Sequence, residues 1–181
     1  MKKLLLLLSS YLIFIFWVDA QPTIQWQKAF GGTNADGAYF IDKTYDGGYI
    51  FAGTSLSANG DVTFHYGPAS LTDFWVGKIS SSGTLQWQKS LGGTKIDDAY
   101  CVKQTLDSGF IVCGNTASTD GVVSGNHGAA GTNDIWVVKL TSAGNIQWKY
   151  CYGGTDRDES RYIEQTADMS LPDFLLPMTE W

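Results

Sequence analysis

The sequence predicts an all-β protein built of tandem four-stranded antiparallel blades, an incomplete β-propeller with two full repeats and part of a third. The first observation behind this is repetition. "IQWQKAFGG" (24–32) returns as "LQWQKSLGG" (85–93) and as "IQWKYCYGG" (146–154), a spacing of 85 − 24 = 61 and 146 − 85 = 61 residues. Residues 24–84 and 85–145, compared without gaps, agree at 26 of 61 positions. A fixed period of this size marks a solenoid, propeller or array. The second observation is that each repeat holds four short runs rich in β-branched and aromatic residues, bounded by Gly, Ser, Asn or Asp; in the second copy they are "LQWQKSL", "AYCVKQT", "GFIVCGN" and "DIWVVKL". The third is that no stretch of the repeats keeps a helical period.

Taken in order, residues 1–20 read as a secretory signal. Lys2 and Lys3 form a basic start, Leu4 to Val18 an apolar run, and Val18-Asp19-Ala20 a small-residue cleavage site. Export follows, with cleavage near Ala20/Gln21, placing the chain in a secreted, periplasmic or cell-surface location without a membrane anchor. Residues 21–84 form blade 1 and 85–145 blade 2. Residues 146–168 are a partial third repeat, and 169–181 an atypical tail whose Pro172 and Pro177 would each remove a donor from a third strand. The turns are legible as well. "DGG" (46–48) and "DSG" (107–109) join the second and third strands as tight hairpins, because Asp bonds its own backbone and Gly accepts positive φ. "SSSGT" and "TSAGN" join the fourth strand to the first strand of the next copy. Trp26, Trp87 and Trp148 recur at one position, Trp75 and Trp136 at another. Large aromatics at fixed repeat positions read as inter-blade core, since burial of such rings dominates core energetics.

Composition narrows the function classes. After loss of Lys2, Lys3 and Asp19 the chain carries ten Lys/Arg against seventeen Asp/Glu, with no basic run. That excludes the electrostatic footprint of a nucleic-acid binder and any pull toward anionic lipid. The three cysteines, Cys101, Cys113 and Cys151, stand where the preceding repeat has Phe40, Ala52 and Ser90. Cys101 and Cys113 read as small core fillers. A cross-hairpin disulfide is the alternative that an exported location permits, and strand register decides between them.

Candidate chemistry is sparse. Asp36, Asp97 and Asp158 precede the second strand run of successive repeats; Asp46, Asp107 and Asp168 enter hairpins; Asp73 and Asp134 precede the fourth run. As metal ligands, Asp36, Asp97 and Asp158 would be calcium-type carboxylates, but they lack the density of a calcium loop and read as backbone caps. His65 and His127 fall out of register with one another, His65 matching Asn126 and His127 matching Tyr66, and read as solvated loop histidines. No catalytic constellation and no cofactor motif stands out, so no cofactor is expected. Function is expected in the long connections 54–72 and 115–133, where the copies differ most. Phe64, His65 and Tyr66 in the first, with Asn126 and His127 in the second, are the candidate ligand-binding residues.

The pattern "DGGYIFAGTS … DFWVGKISSSGTLQWQKSLGG" resembles tandem repeats of secreted proteins from Bacteroidetes-type bacteria, over residues 24 to about 166. The resemblance rests on the "DGGY", "WVxK", "GxxQWQK" and "GG" elements. It implies a secreted protein with a propeller-like fold. Such proteins often end in a type IX secretion sorting domain, which has no counterpart in this sequence. Related repeats are sometimes labelled bulb-type lectin-like, but the lectin mannose motif Gln-x-Asp-x-Asn-x-Val-x-Tyr is absent. The expected function is a secreted or cell-surface binding or adhesion module taking a glycan or protein ligand, from a truncated member of the family. The alternative is a fragment of a propeller-type glycan-processing enzyme or of a lectin-like carbohydrate-binding protein. Open blade faces also lead to an expectation of self-association.

Overall fold

The computed structural model describes residues 22–128 and 131–166. Residues 1–20, read above as a secretory signal, Asp168 and the tail 169–181 lie outside the described residues. Among the described residues the chain is all-β: eight strands form two four-stranded antiparallel sheets of the same meander topology. Sheet 1 contains β1 (Asp36–Lys43), β2 (Tyr49–Ser55), β3 (Asp73–Ile79) and β4 (Leu85–Leu91). Sheet 2 contains β5 (Asp97–Gln104), β6 (Phe110–Thr116), β7 (Asp134–Leu140) and β8 (Ile146–Tyr152). These two blades do not close a ring.

The sheets run one strand out of phase with the sequence repeats 21–84 and 85–145. The Gln-Trp run opens each sequence copy, yet β4 and β8 pair with the strand before them through the "SSSGT" and "TSAGN" turns. A hairpin is the most local pairing available, so the run completes the preceding sheet. Two consequences follow. The third copy supplies β8 and thereby completes sheet 2. The first Gln-Trp run, 24–30, follows no strand among the described residues and itself takes no strand pairing.

The repeated motifs have shared physical causes. In each β1–β2 type hairpin an Asp closes the turn: Asp46 Oδ1 accepts from the Thr44 hydroxyl (2.6 Å) and the Gly48 amide (3.0 Å), and Asp107 does the same for Thr105 and Gly109. Gly47 holds φ +78° at the tip, whereas Ser108 takes φ 63° in the second copy, the one described non-glycine residue in the left-handed region. The same carboxylates receive a buried ammonium from the next strand. Lys78 Nζ donates to Asp46 (2.9 and 3.0 Å), the Ile79 carbonyl and Gln86; Lys139 Nζ donates to Asp107 (2.8 and 3.0 Å), the Leu140 carbonyl and Gln147. "DGG" and "WVxK" are thus two halves of one clip. Thr44 and Lys78 donate to Asp46 and hold its carboxyl far below the usual range. Partial burial pushes the Asp107 carboxyl up, but donors from Lys139, Thr105 and Gly109 outweigh it and bring it to about 2.

The clip predicts an asymmetry. Asp107→Ala strands a buried ammonium and unties a hairpin, and should cost about 2–3 kcal/mol. Lys139→Met leaves a half-exposed carboxylate that water can solvate, and should cost clearly less. Chemical denaturation of the two variants measures this; equal losses would show that the ammonium does not need its partner.

A β-bulge in the first strand of each sheet recurs between Ala38 and Phe40 and between Ala99 and Cys101. It brings the Gly37 and Asp98 carbonyls onto the spots a side chain at Gly53 and Gly114 would fill, which explains a glycine in "AGT" and "CGN". The same register places Cys101 directly opposite Cys113, both fully buried and both free thiols.

The two sheets stack face to face. Ile50, Ala52, Phe74 and Val76 of sheet 1 meet Val102, Phe110, Val112, Trp136 and Leu140 of sheet 2 in one apolar cluster. Trp136 is fully buried, its ring centroid 4.7 Å from that of Phe74. Trp75 is likewise buried, edge-on to Phe51 at 4.8 Å. Trp87 reaches from β4 across to Phe110 and donates its indole N–H to the Ser142 carbonyl.

Candidate functional site

The second long connection packs Val122 and Val123 on the seam cluster, whereas the first sets Val62 on the outer face of sheet 1 and meets the seam at Tyr66 and Gly67. In blade 1 the segment after β2 is tied to the turn before β1 through Asn59 and Asp61, and to the start of β3 through Asp73. Its Oδ2 accepts from the Tyr66 amide (2.6 Å) and the Ser90 hydroxyl (3.4 Å). Asp134 plays the same part for the second loop, accepting the His127 amide (2.7 Å) and facing its Nδ1 at 2.9 Å. Both carboxylates are fully buried. A carboxylate that collects loop amides fixes the loop as a cap fixes a helix end.

The candidate ligand residues divide accordingly. Phe64 is 53% exposed and sits edge-on to Tyr66, centroids 4.7 Å apart and planes at 85°. Tyr66 is half-buried and rests against the position of Gly121, in the neighbouring blade's loop. His65 departs from the solvated-loop reading: its side chain is 3% exposed and turned inward, with Nε2 3.8 Å from Asp73 Oδ2. The reason is local, because tying the Tyr66 amide to a buried carboxylate draws the preceding side chain in with it. Asn126 is also structural, donating to the Thr116 and Ser118 carbonyls while accepting the Gly128 amide. His127 keeps a side chain 55% exposed beside Asp134. Phe64 and Tyr66 therefore share one surface, and His127 holds the matching place on the next blade.

The strand-leading carboxylates are equally well accounted for. Asp36, Asp97 and Asp158 accept the amides of Gly32, Gly93 and Gly154, at 2.7, 2.7 and 2.8 Å. Asp36 also takes the hydroxyls of Ser55 and Ser57, and Asp97 those of Thr116 and Ser118. They fold the "GGT" turn back on itself, one per sequence repeat. Among the described residues no group of three or more His, Cys, Asp or Glu side chains converges as a metal site.

Sequence reasoning missed two features. The first is a meeting of carboxylates at the seam: a methyl group on Gly92 would lie 2.5 Å from both Asp73 Oδ1 and Asp97 Oδ2. Burial pushes the Asp97 carboxyl up to about 7, against the pull of Thr116, Gly93 and Ser118. Burial also raises Asp73, more than its contacts with Tyr66 and His65 lower it. The signal available in the sequence was that Asp73 and Asp134 each follow a loop residue, Tyr66 or His127, by seven positions. The second missed feature is a column that runs from β1 through β5 to the segment after β8. Tyr39 stacks on Tyr100 at 5.6 Å, and the Arg161 guanidinium lies 3.9 Å from the Tyr100 ring centre. These residues are spaced 100 − 39 = 61 and 161 − 100 = 61, so the repeat alone aligned them.

Chemically, the rim offers an aromatic surface with hydrogen-bonding edges. The paired acids beneath it are closed to solvent, so they can hold a proton or a backbone but cannot reach a substrate. Set against known proteins, the chain matches no family model and no curated protein.

Proposed function

We propose that the chain is an exported or cell-surface binding module without catalytic activity, which takes a glycan or protein ligand on the loop rim over its blade seam. The observation that carries this reading is the Phe64–Tyr66 pair. An exposed phenylalanine stands edge-on to a tyrosine whose own amide is pinned to a buried carboxylate. Aromatic surface held rigid in advance binds at low entropic cost. A loop clamped to a stable scaffold is where binding residues concentrate. Export rests on the Lys2–Ala20 series, and the acidic composition argues against nucleic acid.

The glycan-processing alternative needs two carboxyl groups open to substrate, about 5–10 Å apart. The acids that meet at Gly92 are fully buried, and Asp73 Oδ2 and both oxygens of Asp97 accept backbone amides or hydroxyls, which favours binding over hydrolysis.

The test is a Phe64→Ser, Tyr66→Ser double variant on glycan and peptide arrays. His65 is left in place because its side chain is buried. Loss of every array signal with a melting temperature lowered by only a few degrees is the expected outcome. Binding retained by the double variant would remove this rim from consideration.

A further inference from the structure

Each outer sheet face carries a short segment in the place where the repeat would set a neighbouring blade. On sheet 1, Trp26 packs edge-on to Tyr49 (5.7 Å) and donates its indole N–H to the Ser81 carbonyl. Those contacts are the ones Trp87 makes to Phe110 and Ser142 across the internal seam, shifted by one repeat. On sheet 2, the Asp158 amide donates to the Asn133 carbonyl and the Leu106 amide to Gln165, while Ile163 packs on Cys101, Ile111, Cys113 and Val137. Those contacts repeat the ones β5 makes to Thr72 and Tyr45 of sheet 1. Segment 24–30 thus imitates a fourth strand and segment 158–166 a first strand.

Neither segment fills its berth. Ile41 is 56% exposed, whereas Val102, one repeat on, is fully buried in the seam. Beside Ile41 a groove of about 250 Å³ runs along Trp26, Phe30, Phe51, Trp75 and Ile79. On the opposite outer face β8 carries a row of Trp148, Tyr150 and Tyr152, with ring centroids 5.6 and 6.3 Å apart, and Tyr150 is 45% exposed.

We infer that these two faces dock a second copy of the chain, head to tail. The internal seam is the template. Ile50, Ala52, Phe74 and Val76 cover sheet 2 there, and their equivalents one repeat on are Ile111, Cys113, Ile135 and Val137, all apolar and all on the outer face of sheet 2. The face they would cover, Tyr49, Phe51, Trp75 and Ile79, is equivalent to the Phe110, Val112, Trp136 and Leu140 they cover in the template. Docking displaces the two imitating segments: β8 of one copy takes the berth of residues 24–30 in the next, and β1 of that copy takes the berth of 158–166. Displacement is favoured because β8 and β1 arrive already paired within sheets, whereas 24–30 has no strand partner. The interface is heterologous, so it closes only as a ring. Propellers of about four to eight blades correspond to about two to four chains of two blades each.

The test is light scattering of the exported chain at micromolar concentration, with two variants at positions solvent-exposed in the free chain. Wild type should give one discrete mass of two to four chains. Ile41→Asp, which spoils the head, and Tyr150→Asp, which spoils the tail, should each give a monomer with an unchanged circular dichroism spectrum. An equimolar mixture of the two keeps one intact head and one intact tail and should stop at a dimer. A monomeric wild type, assembly that survives either substitution, or a mixture that stays monomeric would each overturn the inference.

Discussion

Trp136→Ala should lower the melting temperature of the chain by about 10–15 °C. The ring is fully buried at the centre of the seam, against Phe74 of the facing sheet. Truncating such a side chain removes about 3–5 kcal/mol, through lost transfer energy and the cavity left behind. Whole domains hold only about 5–15 kcal/mol in reserve, and for this length each kcal/mol moves the midpoint by about 2–4 °C. Trp136→Phe should keep most of the stability, because Nε1 has no hydrogen-bond partner in the protein and the ring supplies the packing. Trp26→Ala should cost far less, since Trp26 is only half-buried on the outer face. Differential scanning calorimetry of the three variants checks the order. An alanine at 136 that melts with wild type would mean that the two sheets do not depend on their seam.

Stability should be greatest between about pH 4 and 6 and should fall as the solution is made neutral. The folded Asp97 carboxyl titrates at about 7 against an ordinary value of 3.8, because burial penalises its charged form. A raised carboxyl binds its proton more tightly when folded, so its contribution is complete below the unfolded value and is lost as pH rises through the folded one. A shift of about three pH units corresponds to about 4 kcal/mol, on the order of 10 °C in melting temperature. Asp73 is shifted in the same direction. The clip carboxylates act oppositely. Asp46 is held low by Thr44 and Lys78, and Asp107 by Lys139 and Thr105 against its partial burial, so their share is present above pH 4 and disappears as pH falls toward 2. Melts at pH 3, 5 and 8 should therefore peak at pH 5, and Asp97→Asn should flatten the limb between 5 and 8. A melting temperature that climbs from pH 5 to 8 would contradict the burial of a costly charge at the seam.

Much of the architecture was written in the sequence. The 61-residue period, the alternating apolar runs and the "DGG" and "SSSGT" turns determine four-stranded antiparallel units, because side-chain period and turn chemistry act over a few residues. The Asp-before-strand series determines capping for the same reason: Asp36, Asp97 and Asp158 each bond an amide four residues back. What the sequence left open depends on which strand finds which. The Gln-Trp run carries equal marks of a first and of a fourth strand, and only pairing in three dimensions assigned β4 and β8 to the sheets before them. The opposition of Cys101 and Cys113 waited on the bulge at Ala99, since one extra residue changes every partner beyond it. His65 and Tyr66 are adjacent in sequence yet have opposite fates, because the Tyr66 amide meets Asp73 and the imidazole is turned beneath it. The meeting of Asp73 with Asp97, and the stacking of Tyr39, Tyr100 and Arg161, join residues far apart along the chain. A repeat aligns such residues by number, but only the stacking of one sheet on the next brings them within reach, and that stacking is set by long-range burial of apolar surface, which no local pattern encodes.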